Sequence, residues 1–475
     1  MVYAFNLPTT SHLTFQSYLS SSTHPSLPQA ATTSRHALRI ALKQHKRLPR
    51  GPQQEAHLST VLTTLTNYLP HLAALTNGLN GRPIEGTSTS VEITQHSLPE
   101  SEWRATLSPR TLTNSTRIRG HGLDFELAFV LSTLGYVLSA LAHTSVIRTL
   151  YAPTTPSPEQ RTAAIQTATK HLLNASAVHS FLATSPAFAA TARAVVTGPS
   201  VPDLDQASQS ALASLALAEA TLLAVLKDDY YVAACIQARN PNDKEWMVSA
   251  PEIPKVRAHL FARLCIRAAE YADQSAAGLG SVGVDEDLVK YVRVLKRVAR
   301  ARACRFFGVD AELAGKIGEG VAWLRAAKGA LGVRSAPEEV AKPRGFSRLK
   351  QGWMERREER RMEKDAGKLD MGELGPGDNA GREEEGRVLE MLETKWVRMN
   401  DTINTQLIPP SADLMANLPS GRDIHSAPTY RLPSLDEEQS TRMRAPPAEE
   451  DIRPGSDSED EYPKSVPERT DSAYY

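Results

Sequence analysis

The feature that most constrains this chain is a long run of alanine and leucine, from Leu212 to Leu226, whose single charged residue is Glu219. Alanine and leucine are among the strongest helix formers. A helix that is apolar on all sides has no face suited to water, so it is expected to be buried on most sides. The run therefore predicts a central core helix around which other helices pack.

A second helix is predicted from Pro254 to Gln274, and its apolar residues form two faces at about 100° per residue. One broad face is assigned to the core, and it carries Ala258, Phe261, Ala262, Cys265, Ala268, Ala269 and Ala272. The opposite face carries Val256, Leu260, Leu264 and Tyr271, interleaved with Arg257, Arg263 and Arg267. An apolar ridge flanked by arginines is suited to binding an acidic amphipathic helix. The alternative is that a neighbouring helix of the same chain covers the ridge.

The remaining hydrophobic pattern is also helical. Leu123 to Leu150 is apolar almost all round and is expected in the core. Ser157, Pro158 and Glu159 follow the order of a helix N-cap and first turn. Aromatic residues make up only 6% of the chain, which favours helices over sheets. Successive helices without a strict repeat predict an all-α fold, an elongated antiparallel helical array with a solenoid-like core.

One small β-hairpin is expected near residues 87–107, where Thr87 to Thr94 could pair with Glu102 to Leu107. We predict a single domain over residues 1–435. It comprises this hairpin, a helical array over residues 122–407 and an extended segment, residues 408–435, packed back along the helices. Beyond it, acidic residues lie among prolines and serines. This composition predicts a disordered acidic tail, residues 436–475.

The charge pattern disfavours nucleic acid as a partner. Lys+Arg and Asp+Glu both number 54, so the formal net charge is zero. A dense basic stretch from Arg293 to Arg305 has no interleaved aromatic residues and is interpreted as a solvated or acid-paired helix face. A helix predicted from Ser34 to Arg47 has a basic face, made of Arg35, Arg39, Lys43, Lys46 and Arg47. This face could contact anionic lipid or an acidic partner helix, but a solvated face is the simpler interpretation.

No catalytic motif is present. The chain has no Gly-x-Ser-x-Gly elbow, phosphate-binding loop, His-Glu-x-x-His or Cys-x-x-Cys sequence. The three cysteines have no metal-like spacing and are expected to be reduced thiols. We therefore predict no enzymatic activity, no cofactor and no metal. The longest apolar run, Leu127 to Ala142, is shorter than the roughly 20 residues that span a bilayer, so no transmembrane helix is expected.

Two stretches of the sequence resemble a known family. The sequences LALAEATLL and HLFARLCIRAAEYAD, within the two helices described first, resemble the central helix pair of the BRO-one domain, a boomerang-shaped helical module. In that family a hydrophobic patch on these helices binds the C-terminal amphipathic helix of an ESCRT-III subunit. The resemblance places the patch at Leu222, Leu260 and Leu264, and a basic patch residue at Lys170 in TATKHLLNASAVHSFL. The family has an apolar residue where this chain has Thr167.

The opening and closing segments of the chain narrow the resemblance to one member of the family. Leu7 to Pro49 and Trp396 to His425, including Pro419-Ser-Gly-Arg422, resemble the member of the family that acts in fungal ambient-pH signalling. This implies a non-enzymatic adaptor that binds an ESCRT-III subunit and other components of the pH-signalling complex. We expect a cytoplasmic protein that is recruited to plasma-membrane or endosomal sites, with peripheral membrane association possible.

Two alternatives stay open. The first is an endosomal sorting scaffold for general cargo trafficking, although such members of the family carry a long V-shaped helical domain after the BRO-one domain. The second is an organelle enzyme with a cleaved leader, because the first 54 residues contain no Asp or Glu. The first arginine is Arg35, which lies later than the basic residues of a transit helix usually do.

Overall fold

Helices dominate the structure. A computed structural model of the chain describes residues 2–81, 91–108, 117–152, 154, 156–189, 191, 201–237, 255–280, 283–332 and 379–447. Its helices are α1 (Leu27–Arg47), α2 (Pro52–Ala56), α3 (Leu58–Leu79), α4 (Leu123–Leu150), α5 (Pro158–Thr184), α6 (Gln206–Asp228), α7 (Tyr230–Gln237), α8 (Lys255–Leu279), α9 (Glu286–Leu313), α10 (Ile317–Leu331), α11 (Arg382–Met399), α12 (Ser411–Ala416) and α13 (Glu437–Met443). A π-helical turn, Asn400–Asn404, follows α11.

The long helices form a single series in which each packs on the next. α1 packs on α3 and α3 on α4, and the series continues through α5, α6, α8, α9, α10 and α11. This arrangement is the elongated all-α array that the sequence predicts. The hydrophobic core runs along the series, because each long helix is covered on two sides by its neighbours.

The two most apolar helices lie at the centre of the array. α4 and α6 are each long and apolar enough to cross a membrane, but 94% and 78% of their most apolar windows are buried within the protein. Such burial is typical of core helices. α6 and α8 approach closely at Gly278, where a side chain would come within 3.0 Å of the Ala207 carbonyl oxygen and the Ala211 methyl group. Small residues therefore set the short distance between these two helices.

The strands do not pair as predicted. β1 (Leu19–Ser21) pairs with β2 (Ile93–Gln95), and β3 (Glu100–Arg104) pairs with β4 (Arg117–His121), both antiparallel. The predicted hairpin between residues 87–94 and 102–107 is therefore wrong, although residues 82–90 lie outside the described residues. The physical reason is the alternation of burial in β3 and β4. Both strands alternate buried and more exposed residues, so they match along their full length.

A buried carboxylate joins four elements of the N-terminal part of the fold, α1, α3, β3 and α4. Glu126 on α4 accepts hydrogen bonds from Arg35 Nε at 2.8 Å, Trp103 Nε1 at 2.7 Å and the Tyr68 hydroxyl at 3.2 Å. Arg35 also donates to the carbonyl oxygen of Ser11 and the hydroxyl of Thr10. The α1 helix begins at Leu27 rather than Ser34, and Arg35 is 1% exposed. The assignment of Arg35 to a basic surface face is therefore wrong.

A second buried network joins α9, α11 and the residue that follows α6 at the other end of the array. Glu385 on α11 accepts hydrogen bonds from Arg302 Nε at 3.0 Å and Arg305 Nε at 2.6 Å, and Arg305 also pairs with Asp229. All four side chains are buried. Burial opposes ionisation, but the two arginines lower the pKa of Glu385 below its ordinary value. The acid-paired interpretation of the stretch from Arg293 to Arg305 therefore holds for these two arginines.

The C-terminal part of the chain returns along the whole array. After α11 it contacts α10, where Gln406 binds the Gly315 carbonyl oxygen and the Gly318 amide. We name residues 417–436, between α12 and α13, the strap. Beyond the strap, α13 lies at the N-terminus of α1, where Ser26 N–H donates to the Met443 carbonyl oxygen.

The tail predicted to be disordered from residue 436 contains ordered structure. Residues 437–443 form α13, which is capped by the Asp436 side chain, and Ser440 is 2% exposed and lies 3.3 Å from His24 Nε2. The predicted boundary at 436 is therefore too early. The acidic residues farther on lie outside the described residues.

Glu385→Gln tests the second network. The amide cannot neutralise Arg302 and Arg305, so two buried cations lose their shared counterion, and the expected loss of unfolding free energy is about 3–5 kcal/mol. Urea unfolding followed by circular dichroism measures it. Glu383→Gln, at an exposed site on the same helix, serves as the control and is expected to change stability by less than about 0.5 kcal/mol. Equal effects of the two substitutions would contradict the role of the network.

Candidate functional site: the α5–α6–α8 face

The four predicted docking residues lie on three neighbouring helices. Lys170 is on α5, Leu222 on α6, and Leu260 and Leu264 on α8, and α6 packs against both α5 and α8. Lys170 is exposed and Leu260 is half-buried. We name these four residues the candidate docking face. Whether a partner binds there stays a prediction.

Two of the leucines are not surface residues in this structure. Leu222 is 3% exposed and Leu264 is 2% exposed. The expected surface ridge is therefore wrong at Leu264, and the patch position that the resemblance placed at Leu222 is buried as well. The physical reason is that α6 is enclosed by α5 and α8, and that Leu264 belongs to the continuous hydrophobic core. Leu260 is the one leucine of the set that retains an accessible surface.

The strap lies directly on the arginines of α8. Arg263 Nε donates to the Ser420 carbonyl oxygen at 3.0 Å, and the Arg422 N–H donates to the Arg263 carbonyl oxygen at 3.1 Å. Arg267 Nε and the Tyr271 hydroxyl both donate to Asp423 Oδ1 at 2.6 Å. The alternative that the chain covers its own ridge is thus partly correct, but an extended segment covers it rather than a helix.

Gly421 allows the strap to approach the backbone of α8. A side chain at this position would come within 2.8 Å of the Arg267 nitrogen and α-carbon. Real β-carbons do not approach atoms so closely, so any larger residue would push the strap away from the helix. The Pro419-Ser-Gly-Arg422 sequence therefore fits its position because it contains the one residue type that the contact accepts.

The arginines and the strap form a charged cluster at the surface. Hydrogen bonds from Tyr271 and then Arg267 lower the pKa of Asp423 below its ordinary value. Arg267 also pairs with Glu270 at 2.9 Å. The sequence predicted the two arginines as contacts for an acidic partner but gave no signal that Asp423 would bind them. A contact between residues so far apart in the chain has no local pattern.

The strap also reaches α5, on the side that carries Lys170. The rings of Phe181 and Tyr430 have centroids 5.5 Å apart. Lys170 and Phe181 are eleven positions apart on α5, which places them about 20° apart around the helix axis. Leu260 and Arg267 are likewise about 20° apart on α8. The strap therefore crosses the same faces of both helices that carry the accessible members of the candidate docking face.

The charge in the core helix has an unusual environment. Glu219 on α6 accepts hydrogen bonds at 2.8 Å from the Tyr3 N–H and the Tyr291 hydroxyl, and it is fully buried. Burial raises the pKa of Glu219 to about 7 despite these two bonds. The carboxyl group anchors the N-terminal residues to α6 and α9. Its protonation changes near neutral pH.

Reactive groups do not converge on this face. Burial raises the pKa of Cys235 to about 11 and of Cys265 and Cys304 to about 12, so these thiols stay protonated near neutral pH. Within the ranges that the structure describes, no group of three or more His, Cys, Asp or Glu side chains could hold a metal ion. The arrangement is suited to binding a peptide, through apolar and cationic contacts.

Comparison with known proteins identifies the class. Residues 13–419 match the family model of the BRO1-like domain. The chain therefore belongs to the BRO1-like domain family, as the resemblance of its two central helices indicated. It is 63% identical to the pH-response regulator protein palC of Emericella nidulans over the full length of both chains. It is also 25% identical to palC of Cryptococcus neoformans, covering 92% of this chain and 95% of that relative.

Two solved structures share the fold. The BRO1 domain of ALIX in a complex with CHMP4C has a TM-score of 0.51 over 93% of this chain and 97% of that chain. ALIX in complex with the SIVmac239 PYKEVTEDL late domain has a TM-score of 0.54 over 92% of this chain and 51% of that chain. Both are 14% identical in sequence, so they establish the fold alone. They confirm the predicted elongated helical fold.

Leu264→Asp is expected to destabilise the protein as well as alter its surface. A carboxylate at a position that is 2% exposed lacks a counterion, and the expected loss of unfolding free energy is at least about 3 kcal/mol. Leu260→Asp, at the half-buried position one turn earlier, is expected to cost less than half as much. Thermal and urea unfolding of both variants measures the difference. Equal losses would mean that Leu260 is as much a core residue as Leu264.

Glu219→Gln tests the raised pKa. Between about pH 4.5 and 7 the unfolded wild type loses the Glu219 proton while the folded protein keeps it, so rising pH lowers wild-type stability. The variant has no proton to lose. The stability of the variant relative to the wild type should therefore rise across this window, by on the order of 3 kcal/mol. Urea unfolding at several pH values measures it, and the exposed Glu390→Gln is expected to show no such trend.

Proposed function

We propose that this protein is a non-enzymatic adaptor of the fungal alkaline ambient-pH signalling pathway. The single observation that carries the proposal is the 63% identity to palC of Emericella nidulans over the full length of both chains. Two chains that are this similar over a whole domain share much of their surface as well as their fold. The adaptor would help assemble the membrane-associated complex that leads to proteolytic activation of the pH-response zinc-finger transcription factor.

The partner that we propose is the C-terminal amphipathic helix of an ESCRT-III subunit. The ALIX BRO1 domain, which shares this fold, has been solved in a complex with CHMP4C. In this chain the candidate docking face offers the exposed ammonium group of Lys170 and the half-buried side chain of Leu260. Arg263 and Arg267 lie beside Leu260 on α8. Cations around one accessible leucine favour an acidic helix with apolar residues on one side.

The affinity is expected to be modest. Burying one leucine contributes about 1.5–3 kcal/mol before the cost of ordering the partner. Leu222 and Leu264 are already buried, so they shape the floor of the face and add little new contact area. Micromolar binding corresponds to about 8 kcal/mol, so one leucine supplies a minor part of it and the affinity is expected to be no tighter than micromolar.

Recruitment to plasma-membrane or endosomal sites from the cytoplasm is part of the proposal. The basic residues of α1 other than Arg35 support it, because Lys46 and Arg47 are exposed and Arg39 and Lys43 are half-buried. Such a face suits peripheral contact with anionic lipid. The second candidate function is an endosomal sorting scaffold for general cargo. Its only support is the similarity of the fold to that of ALIX.

Binding of a fluorescently labelled peptide of the ESCRT-III C-terminal helix to the full chain tests the proposal. Leu260→Asp and Lys170→Glu are each expected to weaken binding by at least about tenfold, because the first places a carboxylate in the apolar contact and the second reverses a surface charge. Matched controls are Leu62→Asp, at a half-buried leucine of α3, and Lys395→Glu, at an exposed lysine of α11.

The controls are expected to bind as the wild type does, provided that circular dichroism shows native helix content in every variant. A wild-type protein that is folded but does not bind the peptide would contradict the proposed partner. Weakening by the controls to the same degree would contradict the location of the face.

A further inference from the structure

The strap is fixed firmly at its two ends. Before its first end, α12 packs on α10, and ahead of α12 Asn400 and Gln406 exchange hydrogen bonds of 2.9 and 3.0 Å while Gln406 binds the N-terminus of α10. At the other end, Leu435 is 2% exposed and α13 docks on the start of α1. Buried contacts of this kind resist local opening. The ends are therefore expected to stay in place while the middle moves.

The middle of the strap is held much more lightly. Ser420, Arg422, Asp423 and Ile424 are exposed. Over residues 420–423 the contact with α8 consists of a few hydrogen bonds and the close approach of Gly421 to the helix backbone, whereas Leu418 before them and Tyr430 and Leu432 after them pack against the core. Exposed hydrogen bonds contribute little net stability because water can replace them. This crossing is therefore the part of the strap that opens at the lowest cost.

Asp423 occupies the position that an acidic partner would need. Its carboxylate accepts from both Arg267 and Tyr271, and the Ser420 carbonyl oxygen accepts from Arg263. The three donors, Arg263, Arg267 and Tyr271, lie with Leu260 on one face of α8, which we name the arginine stripe. A partner helix that places an acidic side chain against this stripe meets donors that are already in use.

We infer that residues 420–423 of the strap act as an internal ligand of the arginine stripe of α8, and that an acidic amphipathic helix binds by displacing them. The inference rests on the proposed function, since the displaced and the displacing segments share one surface. An acidic residue of the partner takes the place of Asp423 between Arg267 and Tyr271. The strap opens between its two fixed ends. Only the fraction of molecules with an open strap can bind, so the strap weakens the apparent affinity by that fraction.

Two substitutions in the strap test this inference in the full chain. Gly421→Val removes the close approach to the Arg267 backbone, and Asp423→Asn removes the charge that Arg267 and Tyr271 hold. Each raises the open fraction, and each is expected to tighten binding of the labelled ESCRT-III helix peptide by about three- to tenfold. The controls are Gly386→Val, where a side chain meets nothing within 4 Å, and Asp413→Asn on α12, and both are expected to bind as the wild type does.

Hydrogen exchange supplies a second readout, which does not depend on the variants. In the wild type, adding the peptide is expected to speed exchange over residues 418–425, above all at the Arg422 amide that donates to the Arg263 carbonyl oxygen. Slower exchange over these residues would make the strap part of the binding surface and overturn the inference.

The possible failures are distinguishable. If the wild type binds the peptide and neither strap variant binds it more tightly, the displacement is overturned while the proposed docking function stands. If none of the folded proteins binds the peptide, the docking function is overturned, and the displacement with it. Tighter binding by both strap variants, with unchanged controls and faster exchange in the strap, supports both.

Discussion

The rest of the structure depends on Glu385, which holds the last long helix in place. Its carboxylate lies between two arginines of α9, and one of these continues to Asp229 at the end of α6. Three segments from different parts of the chain thus share one neutralised charge cluster. Ion pairs at such depth contribute modest net stability, but they strongly disfavour any arrangement in which one member is left alone. The network therefore fixes the start of α11 against α9, and with it the position from which the chain returns along the array.

The sequence predicted the fold well because helical periodicity is a local property. The apolar runs of α4 and α6 identified core helices, and the family resemblance of α6 and α8 was confirmed by a match over residues 13–419. The strand pairing was predicted wrongly because it depends on partners far apart in the chain, such as Leu19 with Gln95. A local pattern cannot indicate such a pairing. The wrong prediction arose because residues 87–94 and 102–107 are close in sequence and resemble the two strands of a hairpin.

The candidate docking face was predicted less completely, for the same reason. The helical wheel identified the core face of α8, but it placed Leu264 on the opposite face and could not reveal that the core encloses Leu264 and, on α6, Leu222. Nor could it reveal that Asp423 lies against Arg267. Arg35 is a similar case, because a basic residue in a basic helix gives no sign of the buried carboxylate opposite it. Charged residues were misplaced where their partners came from a distant segment.

A strap that is fixed at both ends has a mechanical consequence for the array that it crosses. Between its two anchors it crosses α8 and α5. A change in curvature changes the distance between the two anchors, so the strap has to tighten or slacken in response. The tension of the strap over the arginines of α8 would therefore depend on how the array is bent.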